Sequence, residues 1–127
     1  MLLRSTINKA RRKSKQFFAK QQKAGYNSKL YKSSKFILRT NNFSINYYHA
    51  FRCLDNINFM YDNINKHWAE TDGRSIWLNT YKTYNDKLLS DTLIHEALHG
   101  IIYRANRHEI PEYKEHQIME LIDGSFV

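Results

Sequence analysis

The sequence predicts an α+β fold: a small antiparallel sheet packed against two C-terminal helices, with a basic helical segment at the N-terminus. Three observations carry this prediction. Apolar residues recur at helical spacing after Tyr81, short Ile-, Phe- and Tyr-rich segments separated by Asn-rich pieces lie between Phe36 and Thr80, and the two halves of the chain differ in charge. At 127 residues and 42% hydrophobic content the chain has the size and composition of one folded domain, and no apolar run approaches the roughly 18 residues of a membrane span.

The net charge of +8 is unevenly placed: thirteen Lys and Arg and no Asp or Glu precede Asp55, whereas from Asp55 onward seven basic residues face twelve acidic ones. Such a division predicts a basic arm or helix over residues 1–35 attached to a body over 36–127. The arm reads as a helix over about residues 5–23, stopped near Gly25. Arg11, Arg12, Lys13 and neighbouring lysines, interleaved with Phe17, Phe18, Tyr26 and Tyr31, offer charges for phosphates and rings for bases. Strands are expected at Lys35 to Thr40, Ser44 to Leu54, Ile57 to Tyr61, Lys66 to Thr71 and Arg74 to Thr80, with a two-residue hairpin turn at Asp72-Gly73. A helix capped by Ser90 or Asp91 runs to about Tyr103, a loop covers Arg104 to Ile110, and Pro111 opens a second helix that ends near Ile122, before Gly124.

Chemistry concentrates in His95-Glu96-Ala97-Leu98-His99. Histidines four residues apart share one helix face, so both imidazoles can reach one Zn²⁺, while Glu96, turned by about 100°, is free to act as general base on a water. A catalytic zinc takes a third protein ligand from elsewhere. With Ile118, Met119, Leu121 and Ile122 as the buried stripe of the last helix, Glu115 falls inside the stripe and His116 about 140° from its centre. Glu115 is therefore the expected third ligand, with His116 and His108 as alternatives. Tyr103, Arg104, His108 and Tyr113 are candidates for stabilising an oxyanion. His49 and His67 read as surface or hydrogen-bonded histidines. Cys53 stands alone, which excludes an intrachain disulfide and a multi-cysteine zinc site and makes a nucleophilic role improbable.

The runs GRSIWLNT, DTLIHEALHGIIYR and PEYKEHQIMELIDG, spanning roughly Trp68 to Asp123, resemble the small HExxH zincin metallopeptidases, of the SprT-like and ImmA/IrrE-like kinds met in phages and large DNA viruses. The resemblance implies a zinc-dependent peptidase acting on a protein or peptide substrate, with the strand Ser75 to Asn79 as the rim that pairs with extended substrate. In the gluzincin branch a Glu on the following helix completes the site, matching Glu115; the SprT-like branch uses a third His, which points to His108. The HG pair usual in the SprT pattern is missing, as are the extended metzincin motif and a Met-turn.

The alternative function is a basic nucleic-acid-binding protein with a structural or relict zinc site and no turnover, and a third reading keeps the HExxH helix as plain core without metal. No membrane association is expected. The single cysteine points to an intracellular location, cytoplasm or nucleus, or a virion or host cell for a viral protein. The acid-free, Arg- and Ser-bearing opening also shares the bias of a mitochondrial transit peptide.

Overall fold

The computed structural model describes residues 2–64, 67–105 and 110–122. Among the described residues, five helices and three strands follow in the order α1 (Arg4–Ala24), a 3₁₀ turn (Gly25–Asn27), α2 (Lys29–Leu38), α3 (Tyr48–Asp55), β1 (Ile57–Met60), β2 (Ala69–Thr71), β3 (Ile76–Asn79), α4 (Asp86–Ala105) and α5 (Glu112–Ile122). The α+β class holds. None of the helices is long and apolar enough to cross a membrane, among the described residues.

Helix α4 is the hub: α1, α3, β2, β3 and α5 all pack on it. Its Leu89, Leu93, Ala97, Leu98, Ile101 and Ile102 are buried at the spacing of one broad helical face. Fully burying each of the leucine and isoleucine side chains among them contributes about 1.5–3 kcal/mol before conformational entropy is counted. The helix starts one turn earlier than Ser90 or Asp91 because Asn85 caps it, its side-chain oxygen accepting from the Leu88 amide at 2.7 Å. Gly100 lets α3 and the β2–β3 turn approach closely, since a Cβ there would lie 3.2 Å from Cys53 Sγ and 3.5 Å from the Gly73 carbonyl oxygen.

The described residues of the expected arm, 2–35, pack on the body. Ile7, Ala10, Ser14 and Phe18 line one buried face of α1 and enter the same core as α4, with Phe18 wholly buried. Lys9 and Lys15 pair with Asp86 and Asp55, and the Arg11 guanidinium donates to the Leu54 carbonyl, so part of the basic charge fastens α1 to the body.

Two expected strands are helices. In Lys35 to Thr40, most of the segment belongs to α2, which Ser28 caps by accepting from the Tyr31 amide and whose Leu30, Ser33 and Ser34 are buried. Within Ser44 to Leu54, α3 buries Ala50, Cys53 and Leu54 at i, i+3, i+4, a helical period that overrides the β preference of the Tyr and Phe residues around it.

The sheet is mixed where an antiparallel one was expected. Its order is β1-β3-β2, with β1 parallel to β3 (Ile57 opposite Ile76) and β2 antiparallel to it (Ala69 opposite Leu78). Successive strands alternate in direction, but the third inserts between the first two, which makes β1 and β3 run the same way. Ile76 and Leu78 are buried and Trp77 is half-buried on the alternate face. The hairpin sits where Asp72-Gly73 places it, yet its loop has four residues: Asp72 Oδ1 accepts from the Arg74 and Ser75 amides, both at 2.8 Å, and Gly73 has φ +87°. Buried Asn79 ties the preceding loop to the sheet, its amide donating to the Asp62 and His67 carbonyls at 3.0 and 3.2 Å.

Candidate metal centre

Helices α4 and α5 meet at a cleft of about 740 Å³ whose opposite wall is β2 and the turn after it. His95 and His99 lie one turn apart on the partly exposed rim of α4 and turn their Nε2 atoms to within 3.1 Å of each other. From α5, His116 brings its own Nε2 to 3.2 Å from that of His99. The ligand atoms of these three residues all lie within 4.8 Å of one another.

Glu115 is buried, as its place in the apolar stripe requires, but it meets the other side of the ring: Oε2 accepts from His99 Nδ1 at 3.2 Å. The nitrogen that His99 turns toward its neighbours is thus Nε2, with the proton held on Nδ1 by the carboxylate. The third nitrogen turned inward is that of His116, one of the alternatives to Glu115, while Glu115 meets the far side of the His99 ring. The reason is where the cluster sits. It lies on the rim between two helices, about 100° from the buried stripe on α5, and that is the position next to Glu115 in sequence. His108 lies outside the described residues.

The donor set fits a divalent metal. Three imidazole nitrogens this close oppose lone pairs or N–H groups that one another's protons cannot all satisfy, and a cation among them removes the conflict. Zinc–nitrogen bonds of about 2.0–2.1 Å in a tetrahedron place nitrogens about 3.3–3.4 Å apart, close to the separations on either side of His99.

Glu96 is also buried and lines the cleft. Burial chiefly, with the charges of Glu70 and Glu112 and against the pull of His99, pushes its carboxyl up to about 7. Burial alone would lower His99, but the Glu115 hydrogen bond and the charges of Glu96, Glu115 and Glu112 outweigh it and raise the imidazole. Glu115 Oε1 is buried without a hydrogen-bond partner.

Of the oxyanion candidates, Tyr103 lines the cleft; Arg104 and Tyr113 do not, and Arg104 instead packs beside Gly73. The rim strand differs from expectation as well. Strand β3, most of Ser75 to Asn79, is central and paired on both sides, whereas β2 occupies the sheet edge and its Ala69, Glu70 and Thr71 line the cleft. His67, Glu70, Gly73 and Glu112 are among the further residues that line the cleft, and only the fold brings them to it. Compared with known proteins, the chain finds no significant match among family models, curated protein sequences or solved structures.

Proposed function

We propose that the protein is a zinc-dependent metallopeptidase in which His95, His99 and His116 hold the metal, Glu115 orients His99, and Glu96 is the general base. The observation that supports this most is the convergence of three Nε2 atoms beside a buried carboxylate that is not one of them. Bound there, zinc would polarise a substrate carbonyl and acidify a water. Glu96, with its affinity for protons raised toward neutrality, accepts a proton from the attacking water and returns it to the departing amine. Three histidines would hold the ion with the number of protein ligands that catalytic zinc sites use, whereas structural sites close with four. The β2 edge gives an extended peptide backbone groups to pair with along the cleft wall.

The test is zinc analysis of the purified chain together with hydrolysis of a denatured protein and a fluorogenic peptide library. About one zinc per chain with metal-dependent cleavage, both lost in His95→Ala, supports the reading. A stoichiometric zinc with no cleavage of any substrate by the wild type favours the non-catalytic alternative. No zinc at all overturns both.

A further inference from the structure

We propose that the outer face of α2, with the turn before it and the segment after it, is a binding site for single-stranded nucleic acid. It is built from Tyr26, Tyr31, Lys32, Lys35 and Asn41, which line a second, shallower pocket of about 480 Å³. None of these residues lines the cleft, so the inference stands apart from the peptidase reading.

The aromatic side chains come first. Tyr26 is 78% exposed and meets Tyr31 edge-on with ring centroids 4.9 Å apart; Tyr31 in turn lies 5.1 Å from Phe43 at a tilt of 34°. Phe36, one turn beyond Lys32 on α2, is 71% exposed. The hydrophobic faces of α2 do not require this, because Leu30, Ser33 and Ser34 are already buried and Ile37 packs on the core. An exposed cluster of rings on a helix that is otherwise satisfied is a surface kept for a partner.

Charge identifies the partner. The first 54 residues hold thirteen cations and no acid. Lys9, Lys15 and Arg11 are spent on α1's attachment to the body, and Arg52 lies over the Tyr48 ring. Lys29, Lys32, Lys35 and Arg39 are exposed, and none enters an ion pair among the described residues. Three cations on α2 and a fourth, Arg39, at its C-terminal cap, with Lys32 and Lys35 beside Tyr26, Tyr31 and the amide of Asn41, suit a polyanion that also carries flat bases. Bases can lie on tyrosine only when they are unstacked, which selects a single strand over a duplex. The sequence alone pointed to Phe17, Phe18, Tyr26 and Tyr31 as such a platform; Phe18 is wholly buried, whereas Tyr26 is exposed with the half-buried Tyr31 beside it.

The experiment is fluorescence anisotropy of the full chain with labelled 15-mers of thymidine and of uridine from 50 to 300 mM KCl. With about four phosphates neutralised, the log–log salt slope should be near −3. Tyr26→Ala should weaken binding about tenfold or more at one salt concentration with the slope unchanged, because one stacking contact is lost and no charge is. Lys32→Gln combined with Lys35→Gln should flatten the slope by about 1.4. Both variants alter exposed side chains, and unchanged melting temperature and zinc content establish that they fold. Binding of both oligomers, or of only the DNA or only the RNA one, upholds the site if the variants behave as stated. Four results overturn it: no binding at 50 mM KCl, an indifferent Tyr26→Ala, equal affinity for heparin, or preference for phosphatidylserine vesicles over either oligomer.

Discussion

Exchanging the roles of His116 and Glu115 makes a prediction in which the two neighbouring residues of α5 give opposite rankings. If His116 is a ligand, His116→Ala removes one nitrogen from the ion. Structural zinc sites with four ligands bind with about 10–16 kcal/mol, or about 3–4 kcal/mol per ligand, so the loss is about 100- to 1,000-fold in affinity. Glu115 touches His99 through Nδ1 at 3.2 Å. In Glu115→Gln the amide oxygen still accepts that proton, but the charge that strengthens the bond is gone, and partners of this kind are worth about 10- to 100-fold. The expected order of zinc affinity is wild type, then Glu115→Gln, then His116→Ala. Competition against a chromophoric chelator of known affinity measures all three, with circular dichroism confirming that each chain is folded. Should Glu115→Gln lose zinc by 1,000-fold while His116→Ala binds like the wild type, the carboxylate is the ligand and the reading of the cluster fails.

Three further outcomes follow from the same geometry. Glu96→Gln keeps one zinc per chain and loses about 10²- to 10⁴-fold in peptide hydrolysis, as measured with a fluorogenic substrate, because an amide takes no proton from water; full activity in this variant removes Glu96 from the mechanism. Saturating the metal-free chain with zinc at about 1,000 times its Kd adds about 4 kcal/mol of stability, seen as a raised Tm, and His95→Ala/His99→Ala abolishes the shift; an equal shift in the double variant places the ion elsewhere. Phe18→Ala, at a wholly buried position where α1 enters the core, costs about 3–5 kcal/mol and lowers Tm by about 10 °C or more; a melting curve like the wild type's would mean that α1 is dispensable to the fold.

What the sequence disclosed and what it hid follow a physical division. The helical period of α4 and most of the α5 stripe are dictated by burial, so both helices were legible, and so was the shared face of His95 and His99, although Leu121, expected in that stripe, is half exposed. The errors fall where burial and local preference disagree. In α3 the sequence around Tyr47, Tyr48 and Phe51 favours a strand, and only the spacing of Ala50, Cys53 and Leu54 tells that one face of a helix is wanted. Sheet order was not legible because no local signal states that β3 will enter between β1 and β2, and with that order went the identity of the edge strand at the cleft.

The third ligand illustrates the same limit at the scale of one side chain. A helical wheel locates what is buried, and it placed Glu115 correctly, since the residue is 5% exposed. Burial alone does not pick out the ligands of an ion that, on the peptidase reading, would also meet substrate. His95, His99 and His116 are each only partly buried at the cleft between the two helices, and the buried Glu115 meets His99 from behind. A metal that does chemistry belongs on such a rim, with its orienting carboxylate one step deeper. On the peptidase reading the residue beside the buried acid, and not the acid itself, is the third ligand, and the zinc affinities of His116→Ala and Glu115→Gln decide between the two.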